Sequence, residues 1–110
     1  MDSGMDSGID KSHVIQTLRR HEPELRAAGI LHLRLFGSVA RGDASAASDV
    51  DLMADLMADF DRSKRLTLFS MAGLENRLSD LLGVKVHLSP ANSMKATVRA
   101  RADREAIRAF

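Results

Sequence analysis

Cysteine, tryptophan and tyrosine are all missing from this 110-residue chain, phenylalanine occurs four times and proline twice. Without cysteine there can be neither a disulfide framework nor a thiolate metal site, and the composition suits a reducing interior, the cytoplasm by default. So few aromatic rings cannot build the stacking platforms on which single-stranded bases are read. Neither sign of charge dominates. Lys and Arg number 16 against 15 Asp and Glu, a net charge of +1, which gives no electrostatic case for binding nucleic acid directly. No apolar run approaches the length of a membrane span. The first ten residues carry three acids and no apolar stretch, the opposite of a secretory leader. Length fits one domain with one modest core, because folding at this size removes only about two-thirds of the unfolded surface from water.

What is present is periodic. The doubled Met-Asp-Ser-Gly at 1–8 reads as part of a flexible acidic tail over 1–10, leaving 11–110 as the domain. Val14, Ile15 and Leu18 recur at helical spacing, with Asp10 or Ser12 as caps, up to Pro23; a short helical turn follows around 24–28 and ends at Gly29. Leu31, Leu33 and Leu35 then alternate with His32 and Arg34, as in a half-exposed strand. Thr67, Met71, Leu74, Leu78 and Leu81 form a helical stripe that stops at Gly83, and Val84, Val86 and Leu88 predict a short strand facing inward. From about Asn92 the chain is Ala-rich and helical, with Lys95, Arg99, Arg101, Arg104 and Arg108 outweighing Asp103 and Glu105 by +3. The expected architecture is α/β or α+β: one small mixed sheet of about three strands packed by helices. Met53, Met57 and Met71 read as core filling, and His13, His21 and His32 as ordinary surface histidines.

Residues 50–58 admit two readings. Asp51, Asp55 and Asp59 repeat every four positions, which suits a helical stripe. A strand accounts for the same residues, with Asp49, Asp51, Met53 and Asp55 on one face and Val50, Leu52, Ala54 and Leu56 on the other. Just before it, the strand over 30–36 runs into a Gly37-Ser38 turn. Gly37 lets the backbone come close to a ligand, Ser38 offers a hydroxyl and an amide, and Arg41 adds a fixed positive charge, the parts of a phosphate cradle. Gly-Ser followed by Arg is by itself also a plain capped turn. On a strand, Asp49 and Asp51 project together with Cα atoms about 6.5 Å apart. Two bare carboxylates at roughly 4 Å repel by on the order of 4 kcal/mol at an effective dielectric near 20, so the pair calls for a cation or a proton. Oxygen ligands of this hardness suit Mg²⁺ or Mn²⁺, whose remaining positions go to water and substrate phosphate.

Gly37-Ser38, ten intervening residues and Asp49-Val50-Asp51 together resemble the signature of the DNA polymerase beta-like nucleotidyltransferase superfamily. The flanking words Leu-Phe-Gly-Ser-Val-Ala-Arg-Gly and Ser-Asp-Val-Asp-Leu are similar to its minimal, single-domain branch, of the HEPN/MNT antitoxin type. That resemblance decides for the strand, since family members carry the paired acids there. It implies that Asp49 and Asp51 are catalytic metal ligands, that Gly37 and Ser38 hold the β- and γ-phosphates of an NTP, with Arg41 as a further contact, and that the products are a nucleotidylated acceptor and pyrophosphate. Family members also bring a third carboxylate from the next strand, where this chain has Lys85-Val86-His87-Leu88. His87 either serves as the general base, its ordinary pKa near 6.5 being close to working pH, or marks a catalytically impaired protein that binds nucleotide and metal and acts by occlusion. The resemblance implies ATP as the nucleotide and, as partner, a small helical HEPN-type protein that receives AMP or is blocked. A transferase acting on RNA ends is the reading that composition favours least.

Overall fold

Local signals start and stop the helices where the periodicity places them. The computed structural model describes residues 10–42, 49–56 and 71–110. Helix α1 (Lys11–Arg20) has Asp10 at its N-cap position and buries Val14, Ile15, Thr17 and Leu18. Pro23 sits in the first turn of α2 (Glu22–Ala27), where its missing N–H costs nothing. Beyond Gly29 the chain enters β1 (Ile30–Phe36), and the five-residue helix α3 (Gly37–Arg41) follows directly. Strand β2 is Val50–Leu56, helix α4 Met71–Leu82 and strand β3 Val86–Pro90. A single 3₁₀ turn (Ala91–Ser93) leads to helix α5 (Ala96–Glu105) and strand β4 (Ile107–Arg108). The tail at 1–9, Met57 and Thr67 lie outside the described residues.

The sheet order is β3-β2-β1-β4. β1 pairs antiparallel with β2 and with β4, whereas β2 and β3 are parallel, which requires the long crossover that contains α4. Val50, Leu52 and Ala54 of β2 join Leu33 and Leu35 of β1 and Val86 and Leu88 of β3 in a core covered by α1, α2 and α4. The other face carries a smaller apolar patch in which Met53, Ala91 and Ala102 are flanked by Phe36, Met94 and Ala106. Met53 is therefore core filling as expected, but on the acidic face and under α5. Met71 packs against the main core from its edge.

Four details differ from the sequence reading. The described sheet has four strands rather than about three: the C-terminal segment does not stay helical but leaves α5 at Ala106 and pairs with β1. A two-residue strand is too short to show alternation, and the gain comes from burying Ala109 and Phe110; Ala109 N–H donates to Leu33 O (2.8 Å) and Leu33 N–H to Phe110 O (3.3 Å). Leu31 is exposed, with Ile30 buried in its stead, because the β1–β2 register shifts between Ile30 and His32 and an irregularity of one residue reverses the faces before it. Leu82 rather than Leu81 continues the buried stripe of Leu74 and Leu78. Strand β3 begins at Val86, with Val84 half-buried on the approach.

Strand β3 lies at the sheet edge, where outward N–H groups would go unpaired. Helix α4 satisfies two of them: Val86 N–H donates to Ser79 Oγ (3.0 Å) and Leu88 N–H to Glu75 Oε2 (2.8 Å). Both contacts flank His87 and fix the backbone that carries it. Among the described residues no helix is long and apolar enough to cross a membrane.

Candidate functional site

The burial of Val50 and Leu52 fixes the parity of β2, so Asp49 and Asp51 both project away from the main core. Asp51 pairs in register with Phe36, the last residue of β1. Gly37 therefore leaves the sheet beside the Asp51 side chain. Its φ of +80° lies in the left-handed region. A Cβ built on Gly37 would stand 3.2 Å from Asp51 Cβ and Cγ and would collide with Asp51 Oδ2. Only glycine meets both demands, and the result is that the Gly37-Ser38 backbone abuts a carboxylate of β2.

On its other side Asp51 pairs in register with His87 of β3. The imidazole shares the acidic face, and its Nε2 lies 2.7 Å from Asp49 Oδ2. The structure thus gathers Gly37, Ser38, Asp49, Asp51 and His87 around the start of β2. Arg41 ends α3, and its guanidinium is turned onto Glu105 at the end of α5, with Nη1 donating to the two carboxylate oxygens at 3.0 and 3.3 Å. Asp55, the next acid on this face, pairs with Arg34 at 3.1 Å. The remaining histidines stay apart: His21 lies 3.5 Å from Glu24, and His32 accepts from Arg108 at 3.1 Å.

Burial pushes the Asp51 carboxyl above the ordinary aspartate range; His87 and Arg41 oppose the shift, while Asp49 and Glu105 add to it. Among the described residues no three or more His, Cys, Asp or Glu side chains converge into a closed metal cage. Two neighbouring carboxylates, one of them partly desolvated, nonetheless suit a divalent cation that takes most of its shell from water and phosphate. The donor set fits such an ion, with Asp49 and Asp51 as the residues able to hold it.

The family model described as "Nucleotidyltransferase domain" matches residues 16–109. The chain belongs to the nucleotidyltransferase family. It is 35% identical over 91 residues to the protein adenylyltransferase MntA of Thermococcus cleftensis, covering 82% of this chain and 86% of that protein. A solved structure described as a minimal nucleotidyltransferase is 33% identical, with a TM-score of 0.68 over 90% of this chain and 95% of the other. A toxin–antitoxin structure with AMP-PNP shares the fold at 18% identity, with a TM-score of 0.58 over 93% of this chain and 73% of that one. This nucleotidyltransferase thus has the minimal fold of the polymerase beta-like superfamily, with a four-stranded mixed sheet.

Among the described residues, Glu105 is the one at the site that the sequence reading did not single out. In the sequence it is one acid in a basic helix, and only the packing of α5 across the acidic face brings it to Arg41.

Proposed function

We propose that this nucleotidyltransferase moves a nucleotidyl group, AMP from ATP, onto a hydroxyl of a partner protein. The observation that carries the reading is the close approach of the Gly37 backbone to Asp51, with Asp49, immediately before β2, reaching His87 on the same face. It brings a backbone surface suited to phosphate against carboxylates suited to a cation. In the reaction the acceptor oxygen attacks the α-phosphorus, the bond from that phosphorus to the β-bridging oxygen breaks, and pyrophosphate leaves. Gly37 and Ser38 seat the β- and γ-phosphates, and Arg41 adds positive charge on the same side. Asp49 and Asp51 would hold Mg²⁺ or Mn²⁺, which supplies charge neutralisation to the triphosphate and orients it for in-line displacement. His87 stands where the family has its third carboxylate and accepts the proton of the attacking hydroxyl at Nε2 once that atom has given up its contact with Asp49 Oδ2. The described elements form the catalytic layer, and in this reading the partner supplies the acceptor surface. The protein adenylyltransferase MntA relative supports a protein as acceptor; that this partner is a small helical toxin of HEPN type, with this chain as its antitoxin in the cytoplasm, is the part of the proposal carried by the resemblance of the sequence motif.

A second reading rests on one contact. Since His87 Nε2 already sits on Asp49 at 2.7 Å, an imidazolium there takes the position of a countercharge, and the protein then binds its partner and acts by occlusion. ATP labelled in the α-phosphate, incubated with Mg²⁺ and the co-purified partner, decides between them. Label on the partner together with pyrophosphate release is the expected result. Tight partner binding with no label establishes occlusion, and transfer that survives His87→Ala removes His87 as the base.

A further inference from the structure

Glu105 and Arg41 come from the ends of two helices separated by 64 residues of chain. The carboxylate is the more sheltered member, its side chain 19% exposed against 45% for Arg41. It is also the better anchored. Ala102 and Ala106, on either side of Glu105, pack into the Met53 patch, so the end of α5 is fixed to the sheet. Arg41 closes a helix of only five residues, and an arginine side chain has much rotamer freedom to lose on ordering. Arg41 lies in the same short helix as Gly37, about one turn beyond the point where the Gly37 backbone abuts Asp51. Both oxygens of Glu105 fall on one nitrogen, Nη1, rather than on two nitrogens in the fork arrangement that gives such pairs their full strength.

We propose that Glu105 is a positioning residue that holds the Arg41 guanidinium on the Asp51 side of the site, already oriented for the phosphates of the nucleotide. The inference rests on the nucleotidyl-transfer reading above and adds a residue to it. Three accounts of this ion pair differ in what removal of Glu105 does. A plain surface pair between half-exposed groups contributes little, and removing it leaves nucleotide binding unchanged. A clamp that competes with phosphate for Arg41 predicts tighter binding without Glu105, as does charge alone, because an anion has been removed near an anionic ligand. Positioning predicts weaker binding, because Arg41 must then be ordered at the expense of binding energy.

The test is calorimetric titration with ATP and Mg²⁺, alongside steady-state KM and kcat, on the wild type, Glu105→Gln, Glu105→Ala, Arg41→Ala and the double variant Arg41→Ala/Glu105→Ala. Thermal melts verify that each variant is folded. Glu105→Ala is expected to raise Kd and KM by about 3- to 10-fold with kcat within about 2-fold, and Glu105→Gln, which keeps the hydrogen bond, to fall between it and the wild type. With Arg41 already replaced by Ala, losing Glu105 is expected to have no further effect on Kd, the coupling that a shared action requires. Unchanged or tighter binding by Glu105→Ala, or an equal effect with Arg41 absent, overturns the inference alone. A wild-type protein that binds no nucleotide overturns the functional reading and this inference with it.

Discussion

The two faces of the sheet do different work. The face under α1, α2 and α4 is a continuous apolar core, in which Leu18, Leu33, Leu35, Leu52 and Leu78 are fully buried. The opposite face carries Asp49, Asp51, Asp55, Arg34 and His87, with one small apolar patch around Met53. Neighbours in β2 thus have unrelated duties, because strand parity sends Leu52 to one face and Asp51 to the other. On the proposed reading, this small chain keeps its folding energy and its chemistry one residue apart. Substitutions should therefore separate cleanly into those that unfold and those that disable.

The largest effects set Leu52 against Asp51. Leu52→Ala is expected to remove about 2–5 kcal/mol of stability, a large share of the roughly 5–15 kcal/mol that a domain possesses. Asp51→Asn is expected to lower transfer by on the order of 10³-fold, since several kcal/mol of charge stabilisation depend on that carboxylate. Its fold should survive, with a melting temperature equal to or above that of the wild type, because burial penalises the ionised carboxylate and the amide carries no charge. Melting curves and the labelled-ATP assay read both. A collapsed Asp51→Asn, or a stable but inactive Leu52→Ala, breaks the division between the faces.

Next in size is Met53→Ala, which probes the apolar patch on the site face. A cost of about 2 kcal/mol is expected, at the low end for a buried methionine because Phe36 and Met94 at its border are only partly buried and can relax inward. Since the patch seats α5, the same variant should weaken nucleotide binding through Glu105 and Arg41. A loss of stability with unchanged nucleotide affinity would uncouple the patch from the site.

Gly37→Ala sharpens the comparison where the faces meet. An alanine at φ +80° costs about 1–2 kcal/mol in backbone strain, and its Cβ must also push Asp51 aside. A moderate fall in melting temperature is expected together with a fall in transfer much larger than stability alone explains. Equal activity per folded molecule would show that the contact between the turn and Asp51 is packing and nothing more.

The same parity explains what could be read from the chain in advance. The Gly37-Ser38 turn and the helices over Val14–Leu18 and Leu74–Leu78 were legible because each is set by local periodicity or by one residue of special geometry, whereas β2, whose acids fit a helical stripe as well, was decided by the resemblance. The gathering of His87 with Asp49 was legible only in part, since the slot came from a resemblance while the contact depends on the parallel pairing of β3 with β2. Leu31, β4 and Glu105 were not legible. A one-residue register shift, a two-residue strand and an ion pair across 64 residues leave no periodic trace, and each is decided by packing between distant segments.

The smallest predicted effect lies at the rim of the apolar face, where Glu24 of α2 and Arg77 of α4 form a two-pronged pair at 2.5 and 3.0 Å. The hydrogen bond from Arg77 holds the Glu24 carboxyl below its ordinary value of 4.5, partly offset by the cost of burial. A carboxyl whose pKa is lower in the folded state stabilises the fold above its unfolded value and loses that contribution as the pH falls through the folded one. Glu24→Gln should therefore lower the melting temperature slightly at pH 7 and low salt, less so as salt is added, and not at all once the pH is well below 4.5. The pair is about half exposed, so the shift should be small beside that of Leu52→Ala. Melts of both variants across pH and salt check the ordering. A Glu24→Gln effect as large as the Leu52→Ala effect, or one that persists in acid, would mean that the helix-covered face depends on charge as much as on burial.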